Sequence, residues 1–458
     1  MHVVFSALTA FIFAGTAPAP NRKPSNSAFT TGRLRGRPEM RPDIWQPVSP
    51  VLPSGPSKGR ETVMTDYQGP MSRFKIIDLT RVRSGPTSVR HLADWGADVI
   101  KVEAPAAVDK AAGMGGSRTG PDYQNIHRNK RSLALNLKEP EGKEILMKLV
   151  AGADVVVENY RPDVKFRLGI DYESLKAVNP RIILASISGF GQDGPYAKRP
   201  GFDQIAQGMG GLMSITGLPG NGPVRVGIPV ADLSSGNYTT IAILIALLER
   251  EVSGEGQWVH TSLLESMISM LDFQAARWTV AEDVPGQAGN DHPTSIPTGV
   301  FKTSDGHINI AASGDVMWVR LCEIFDAPEM RDNPDFADGG LRSKNRAAVN
   351  TAIEGYTVAK TSAEWIEVLE ATGVPCGPIY SIDQMFADPQ VQHVNMRHPV
   401  SHAKLGDMDL VGQAINMSRY QPRTGMPTPD SGQHTDDVLA DLGIESDEIA
   451  ALREKGII

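Results

Sequence analysis

Short, continuous apolar runs alternate with amphipathic stretches from residue 74 to residue 188. The first unit is a strand at 74–79, a helix that begins near Ser84 and a strand at 97–103. Pro86 suits the first turn of this helix, and Gly96 suits its C-terminal stop. Apolar strands separated by helices indicate a parallel sheet covered on both faces, so we expect an α/β fold with a doubly wound, Rossmann-like sheet. The further predicted strands are 132–137, 154–159 and 181–188, and the further helices are 139–150 and 172–178.

The pattern changes in the second half of the chain. A long apolar helix is predicted at 237–251, followed by a strand at 257–262 and a helix at 263–278. Two β-rich runs then flank Ser304-Asp305-Gly306, and an Asp-Gly turn between such runs is typical of a β-hairpin. The hairpin strands are predicted at 300–303 and 307–312, and the helices beyond them at 318–325, 346–358, 363–372, 434–442 and 447–455.

These patterns predict two domains. We expect a large Rossmann-like domain at 71–284, a smaller α+β domain at 285–390 and a C-terminal segment at 391–458 that returns to the large domain.

The first 70 residues differ from the rest. Residues 1–63 contain nine prolines, eight Lys or Arg and three acidic residues, with little periodicity. Such a stretch is typical of a disordered extension. It also has features of a signal peptide or of an Arg-rich transit peptide. A third interpretation, which we prefer, is that translation begins at Met64 or Met71, just before the first strand.

Composition excludes several classes of protein. The 458 residues carry a formal net charge of −8, which does not suggest a nucleic-acid-binding protein. Cys322 and Cys376 lie far apart without CxxC spacing, so neither a disulfide framework nor a zinc site is expected, and a reducing compartment fits. The longest apolar runs of the body, such as 241–248, are too short to span a bilayer. No metal and no permanently bound cofactor is predicted.

Residues Gly189 to Gly194 match the dinucleotide-binding pattern GxGxxG and follow a predicted strand. In that motif the third glycine leads into a helix whose N-terminal amides bind the pyrophosphate. Here Pro195 and then Pro200 follow, so we expect no helix at this point and no nicotinamide or flavin site.

A stronger candidate is Asp232, which lies between an apolar run and the long apolar helix. Asp is favoured at helix N-caps, so this residue has an ordinary structural interpretation. It also has a functional one, because small neighbours (Ser234, Ser235 and Gly236) leave the carboxylate accessible to a bulky thioester and nearby backbone N–H groups can stabilise an oxyanion. Spacing alone leaves both interpretations open.

Seven short segments follow one another along the chain: Leu92–Glu103, Asn129–Ser132, Glu158–Pro162, Gly189–Pro195, Val230–Asp232, Gly254–Gln257 and Val374–Pro378. In this order they resemble the successive signatures of the family III CoA-transferases. That family includes formyl-CoA, carnitine and succinate-linked CoA-transferases and the α-methylacyl-CoA racemases. The resemblance extends from about Phe74 to the C-terminus.

The resemblance implies that Asp232 is the nucleophile of a CoA-transferase. The carboxylate would attack an acyl-CoA to give an aspartyl anhydride and then an aspartyl-CoA thioester, from which an acceptor acid collects CoA. Asp232 must be ionised to react, so we expect that its pKa is not strongly raised. CoA and acyl-CoA are then substrates, with a dicarboxylate- or carnitine-type acid favoured and formyl-CoA:oxalate transfer as an alternative.

The resemblance also implies which residues contact CoA. Lys and Arg side chains suit its phosphates, and an aromatic ring suits its adenine. Many members carry Arg directly after the position of Glu103, where this chain has Ala104, so Lys110, Arg118 or Arg128 is expected to replace that phosphate contact. The expected CoA-contacting residues are Val82, Arg83, Asn129, Lys130, Asn159, Tyr160, Arg161 and Arg167.

Three further residues are candidates for contacts to the acyl substrate. Racemases of this fold carry His before the position of Asp203, whereas Phe202 cannot exchange a proton, so racemisation by that route is not expected. Asp203 either positions the acyl group or caps the next helix. His292 is either a substrate contact or a turn residue, and its segment, 286–293, is the expected flap that shields the intermediate from water.

Members of the family form interlocked homodimers, so the same assembly is expected here. The expected location is the cytoplasm, or the mitochondrial matrix if residues 1–70 are a transit peptide. Two alternatives remain: a racemase or isomerase of the same fold, and a non-catalytic CoA-binding homologue that forms no covalent adduct.

Overall fold

The computed structural model describes residues 69–109, 115–423 and 425–458. The interpretations of residues 1–68 and of Lys110 therefore lie outside the described residues. Within those residues, six parallel strands form the main sheet in the order β3-β2-β1-β4-β5-β6, which confirms the predicted doubly wound, Rossmann-like fold. The strands are β1 (Lys75–Asp78), β2 (Asp98–Glu103), β3 (Arg131–Ala134), β4 (Val155–Glu158), β5 (Ile183–Ser188) and β6 (Trp258–Ser262).

Helices cover both faces of this sheet. Val89 and Ile243 pack on one face against Val157, while Ile145 and Leu175 pack on the other. Among the short helices that were not predicted are α2 (Pro121–His127) and α4 (Pro162–Leu168); each begins with proline and spans seven residues, which is too short to give a clear apolar period. The helices of this part are α1 (Ser84–Asp94), α2 (Pro121–His127), α3 (Pro140–Ala151), α4 (Pro162–Leu168), α5 (Tyr172–Val178), α6 (Asp203–Met209), α7 (Leu212–Ile215) and α8 (Val230–Ser253).

Helix α8 begins at Val230, seven residues before the predicted start at 237. The prediction followed the apolar run, but the polar turn before it is also helical because Asp203 accepts hydrogen bonds from its amides. Within the described part of the chain, α8 is the one helix long and apolar enough to cross a membrane by length and composition. Core helices of other proteins pass the same test, and α8 packs on α1 and on the sheet.

Within the described residues, a second sheet of three antiparallel strands has its own core, drawn from residues 296–374. The predicted hairpin around Asp305-Gly306 is confirmed, but the third strand is only three residues long and was missed. Its strands are β7 (Thr298–Lys302), β8 (His307–Ala311) and β9 (Cys376–Pro378). Its helices are α11 (Asp315–Ile324), α12 (Pro328–Arg331), α13 (Gly339–Lys344), α14 (Arg346–Thr357) and α15 (Ser362–Ala371), while α9 (Leu263–Met270) and α10 (Phe273–Ala281) precede it.

The predicted helix at 263–278 is two helices, because the backbone at Asp272 turns to φ +48° between α9 and α10. A hairpin of β10 (Arg397–His402) and β11 (Gly406–Val411) was also missed. The last helices share the main core, where Val438 and Leu452 pack with Leu133. The domain boundaries themselves stay a prediction. The remaining helices are α16 (Ile382–Ala387), α17 (Pro389–His393), α18 (Thr435–Asp441) and α19 (Ser446–Glu454).

Candidate active site

Two helix N-termini meet beside Asp232. Helix α1 begins at Ser84 and α8 at Val230, and Gly236 of α8 lies directly against the start of α1. A Cβ atom on Gly236 would be 2.7 Å from the Ser84 carbonyl oxygen and 2.9 Å from Thr87 Cβ, so a side chain at this position would push the helices apart. This close approach brings the Asp232 carboxyl group into a hydrogen bond with the Ser84 side chain.

Asp232 is the third residue of α8, and the N-cap position is Pro229, so the N-cap interpretation is wrong. Burial and, to a smaller extent, the neighbouring Asp203 carboxylate together raise the pKa of Asp232 to about 7, against the lowering effect of Arg83 and Ser84. The expectation of a pKa that is not strongly raised is therefore also wrong. The cause is burial of the carboxyl group together with the nearby Asp203 carboxylate, which outweighs the favourable field of the α8 N-terminus.

Asp203 caps the helix that carries Asp232. One oxygen, Oδ1, accepts hydrogen bonds from the backbone N–H groups of Ala231 (2.8 Å) and Asp232 (3.3 Å). The other, Oδ2, accepts from Nε2 of Gln207 at 2.6 Å, and Gln207 is fully buried. One expectation from the sequence was that Asp203 caps the next helix along the chain, which is α6. The helix that it caps is instead α8. Asp203 thus fixes the position of the Asp232 backbone.

The raised pKa of Asp232 predicts a pH-dependent cost to stability. The carboxyl group ionises near its ordinary pKa of 3.8 in the unfolded chain but near 7 in the fold, so stability is lost as the pH rises through this window. Arg83, Ser84 and Asp203 are the groups that act on it. We expect Asp232→Asn to raise the free energy of unfolding at pH 8 by about 2–4 kcal/mol, and by less at pH 5. Urea unfolding at the two pH values measures this.

The matched control is Asp193→Asn, because Asp193 is exposed in a bend and its removal should change stability little at either pH. An Asp232→Asn gain of equal size at pH 5 and pH 8 would contradict the assigned ionisation.

The segment between β1 and α1 is strained. Val82 has φ +64°, a conformation that costs a β-branched residue about 1–3 kcal/mol. Asn159 holds this conformation because its side chain accepts from the Arg81 N–H at 2.8 Å and donates to the Arg81 carbonyl at 2.7 Å. The sequence-predicted residues Val82, Arg83 and Asn159 thus lie together at the start of α1, next to Asp232.

A cavity of about 570 Å³ opens at the carboxyl ends of β2, β3 and β4. In doubly wound folds this edge of the sheet is where ligands bind. Tyr160 and Arg167, both predicted CoA contacts, line it, whereas Arg161 lies outside and is 3.7 Å from Asp163. The cavity is lined by Arg81, Val102, Glu103, Ala104, Val108, Asp109, Leu135, Asn136, Leu137, Lys138, Lys143, Tyr160, Val164, Arg167 and Leu168.

Two predicted CoA contacts lie in the protein interior. Lys130 is fully buried and donates to Asp78 Oδ2 at 2.9 Å. Burial lowers the pKa of Lys130 to about 8; burial alone would raise the pKa of Asp78, but Lys101 and Lys130 hold it at about 2. Asn129 is also fully buried and donates to Asp94 Oδ1 at 2.8 Å. Both side chains are engaged with internal partners, which disfavours a contact of either with the nucleotide; these contacts stay predictions.

Two of the residues expected to replace the missing arginine at position 104, Arg118 and Arg128, are engaged elsewhere. Arg118 pairs with Glu103, and Arg128 pairs with Asp94 at 2.7 Å. Lys138 and Lys143 instead share the cavity lining with Ala104. These lysines were not predicted from the sequence, although their position just after the third predicted strand, at the carboxyl edge, was a usable signal.

The remaining candidates are Phe202 and His292. Phe202 is 59% exposed at the start of α6. His292 forms a turn, because its Nδ1 accepts from the N–H groups of Thr294 (3.2 Å) and Ser295 (3.0 Å) and its ring stacks on Phe273. These contacts favour the turn interpretation of His292.

The segment 286–293 is tied to the loop at 216–222. Gln287 Nε2 donates to the carbonyls of Thr216 (2.7 Å) and Gly222 (2.6 Å). A shielding role for this segment stays a prediction. Residues 189–202 contain no helix, as expected from the prolines that follow the GxGxxG pattern.

Known proteins resemble this chain over most of its length. The family model of CoA-transferase family III matches residues 71–435. The chain is 35% identical to succinyl-CoA:glutarate CoA-transferase of Homo sapiens, over 85% of this chain and 90% of that protein. It is 38% identical to succinate–glutarate CoA-transferase of Agrobacterium fabrum, over 83% of this chain and 98% of that protein. A similar solved structure is a CAIB/BAIF family protein from Brucella suis, with a TM-score of 0.72 and 34% identity over 82% of this chain and 100% of that one.

Proposed function

The chain belongs to CoA-transferase family III, and from this premise we propose that it transfers CoA from succinyl-CoA to a dicarboxylic acid of the glutarate class through covalent intermediates on Asp232. Enzymes of this kind use CoA thioesters as substrates. The sequence left dicarboxylate- and carnitine-type acids open, and the names of the two relatives favour the dicarboxylate. The name of the human relative gives succinyl-CoA and glutarate, and the name of the bacterial relative gives succinate and glutarate.

The observation that carries the mechanism is the placement of Asp232 where α1 and α8 begin. In our proposal the ionised carboxylate attacks the thioester carbonyl, giving an aspartyl anhydride and CoA thiolate. The thiolate attacks the Asp232 carbonyl and releases the donor acid, leaving an aspartyl-CoA thioester. The acceptor carboxylate attacks this thioester, forming a second anhydride, and the thiolate then attacks the acceptor carbonyl and frees Asp232. Together these steps replace one difficult exchange between weak nucleophiles with several easier ones.

Several features support this role for Asp232. Its pKa of about 7 leaves a large fraction ionised near neutral pH, and partial desolvation makes a carboxylate a stronger nucleophile than it is in water. Helix N-termini stabilise negative charge, so the oxyanions that form at the reacting carbonyl benefit from the ends of α1 and α8. Arg83, whose charge acts on Asp232, supplies a further positive group.

We propose that CoA binds in the cavity at the carboxyl edge of the sheet. Its volume of about 570 Å³ lies in the range of small-molecule sites, and Arg81, Lys138, Lys143 and Arg167 bring positive charge to its lining. Tyr160 lines the same cavity and offers a ring for the adenine. Arg81 is two residues from Arg83, so the segment that lines the cavity leads directly to Asp232.

A direct assay of CoA transfer tests the proposed function. We expect the purified full chain, mixed with succinyl-CoA and glutarate, to form glutaryl-CoA and succinate in equal amounts, measured by mass spectrometry. Omission of glutarate should leave the succinyl-CoA intact apart from slow hydrolysis. The proposed function is contradicted if the protein transfers CoA neither to glutarate nor to any other acid in a panel of mono- and dicarboxylates.

The same mixture separates the alternatives. A racemase would exchange the substrate α-proton in deuterated buffer, a reaction for which Phe202 supplies no acid or base. A non-catalytic binding protein would hold CoA but form neither product nor covalent adduct.

We also propose a homodimer in a reducing compartment, the cytoplasm or the mitochondrial matrix. The free face of α8 is strongly apolar, since Ile245, Leu248 and Val252 are 61%, 72% and 90% exposed in the single chain. Apolar surface of this kind is typical of an interface between subunits. Cys322 and Cys376 are free thiols, which suits a reducing environment.

A further inference from the structure

A second guanidinium lies beside the carboxylates of the site. The nearest Arg225 nitrogen is 4.0 Å from Asp203 Oδ2, and the side chain is 44% exposed. Within the described residues, this guanidinium donates no hydrogen bond, although a planar fork of five N–H groups can bind a carboxylate through two of them. Arg83, by contrast, is already paired with Asp122. Arg225 therefore has N–H groups available to bind a ligand at the edge of the site.

The backbone beside Arg225 is held in place by a buried amide. Gln207 Oε1 accepts from the Val226 N–H at 3.0 Å, and Gln207 Nε2 donates to both Asp203 Oδ2 (2.6 Å) and the Ile228 carbonyl (3.3 Å). Gln207 is fully buried, so these bonds are shielded from water. Because Asp203 in turn caps α8 at Asp232, one continuous set of hydrogen bonds fixes the Arg225 segment relative to the nucleophile.

The charges of the site favour a cation in addition to Arg83 for a substrate with two carboxylates. Asp232 and Asp203 are near enough that Asp203 raises the pKa of Asp232, so an added carboxylate would be repelled by both. The two oxygens of Asp203 already accept hydrogen bonds from the α8 amides and from Gln207. The ion pair between Asp203 and Arg225 is long, at 4.0 Å. A substrate carboxylate can therefore bind the guanidinium while Asp203 keeps its other hydrogen bonds.

We propose that Arg225 binds the distal carboxylate of the dicarboxylic acid while the reacting carboxyl group lies at Asp232, so that this residue sets the preference for dicarboxylates over monocarboxylates. The inference rests on the proposed function, since it assigns a residue to the recognition of its acceptor. In a five-carbon dicarboxylate the two carboxyl carbons are about 5 Å apart when extended, from bonds of about 1.5 Å.

The test compares glutarate with pentanoate, which differs only in carrying a methyl group in place of the second carboxylate. We expect Arg225→Gln to lower kcat/KM for glutarate about 10–100-fold, mainly through KM, because a charged hydrogen bond contributes about 1.5–3 kcal/mol. Transfer to pentanoate should change by less than about threefold. Arg225→Lys keeps the charge but not the fork and should fall between wild type and Arg225→Gln. Arg331→Gln, an exposed change on α12, is the control.

The outcomes separate the two proposals. If wild type transfers CoA to neither acid and to no other acid of the panel, the proposed function fails and this inference fails with it. If wild type transfers CoA to glutarate but Arg225→Gln loses glutarate and pentanoate equally, or loses neither, the proposed function stands and the role of Arg225 is overturned. Should Arg225→Gln not fold, as judged by its thermal unfolding, Arg225→Lys decides: a raised KM for glutarate with an unchanged KM for pentanoate supports the inference, and equal KM changes overturn it.

Discussion

Replacement of Asp232 by alanine is expected to lower kcat for CoA transfer at least ~10⁴-fold, as is usual when a covalent nucleophile is removed. The physical reason is that none of its neighbours can take its place. Ser84 lies beside it without a general base to activate it, and Asp203 is committed to the amides of α8. Intact-mass spectrometry after brief mixing with succinyl-CoA should detect an adduct in the wild type that hydroxylamine removes, and no adduct in the variant.

Asp232→Asn is the informative companion, because it keeps the size of the side chain and removes only its charge. It should be as inactive as alanine and yet more stable than the wild type at pH 8, as argued from the raised pKa of Asp232. Lost activity with gained stability cannot be explained by misfolding. Persistence of a hydroxylamine-sensitive adduct in Asp232→Ala would place the covalent chemistry on another residue.

Lys130→Met should destabilise the protein by about 3–5 kcal/mol, because it leaves the fully buried Asp78 without its direct ionic partner. Asp78 Oδ1 also accepts from the N–H and hydroxyl groups of Thr80, at 2.9 and 2.5 Å. Movement of Asp78 would therefore disturb the segment that leads to Arg83, and activity should fall along with stability. Urea unfolding at pH 7 measures the first effect and the CoA-transfer assay the second.

Lys148→Met is the matched control, since Lys148 is an exposed residue of α3 and its loss should cost less than about 0.5 kcal/mol. The double variant Asp78→Leu with Lys130→Met should recover much of the stability, because a buried pair can be replaced by apolar side chains at little cost. If Lys130→Met proves as stable as the wild type, the buried pair does not have the structural role assigned to it.

The architecture was predictable because the strands of a sheet covered on both faces are continuous apolar runs that sequence displays directly. The runs at 74–79 and 154–159 became neighbouring strands β1 and β4, as the doubly wound pattern requires. Boundaries that depend on contacts distant in sequence were not predictable. The start of α8 depends on Asp203, which lies 27 residues before Val230 in the chain.

The candidate site was predictable at Asp232 but only in part around it. A lysine in a sequence motif gives no sign of whether it faces a ligand or the interior, and Lys130 faces Asp78, a residue 52 positions away. The raised pKa of Asp232 depends on burial by α1 and on Asp203, neither of which the spacing of residues reveals. The sequence alone does not mark Lys138, Lys143 or Arg225 as candidates. Lys138 and Lys143 become candidates because they line the cavity, and Arg225 because it lies near Asp203.

The contact between α1 and α8 also limits how this protein can be altered in the laboratory. Gly236 has no room for a methyl group against Ser84 and Thr87, and a Cβ on Gly85 would lie 2.3 Å from Thr80 Cβ. Libraries that randomise these glycines will therefore consist mostly of inactive, poorly folded chains. The loop at 216–228 has several positions open to solvent, so directed evolution towards longer or bulkier acids should sample that loop and leave the glycine contact unchanged.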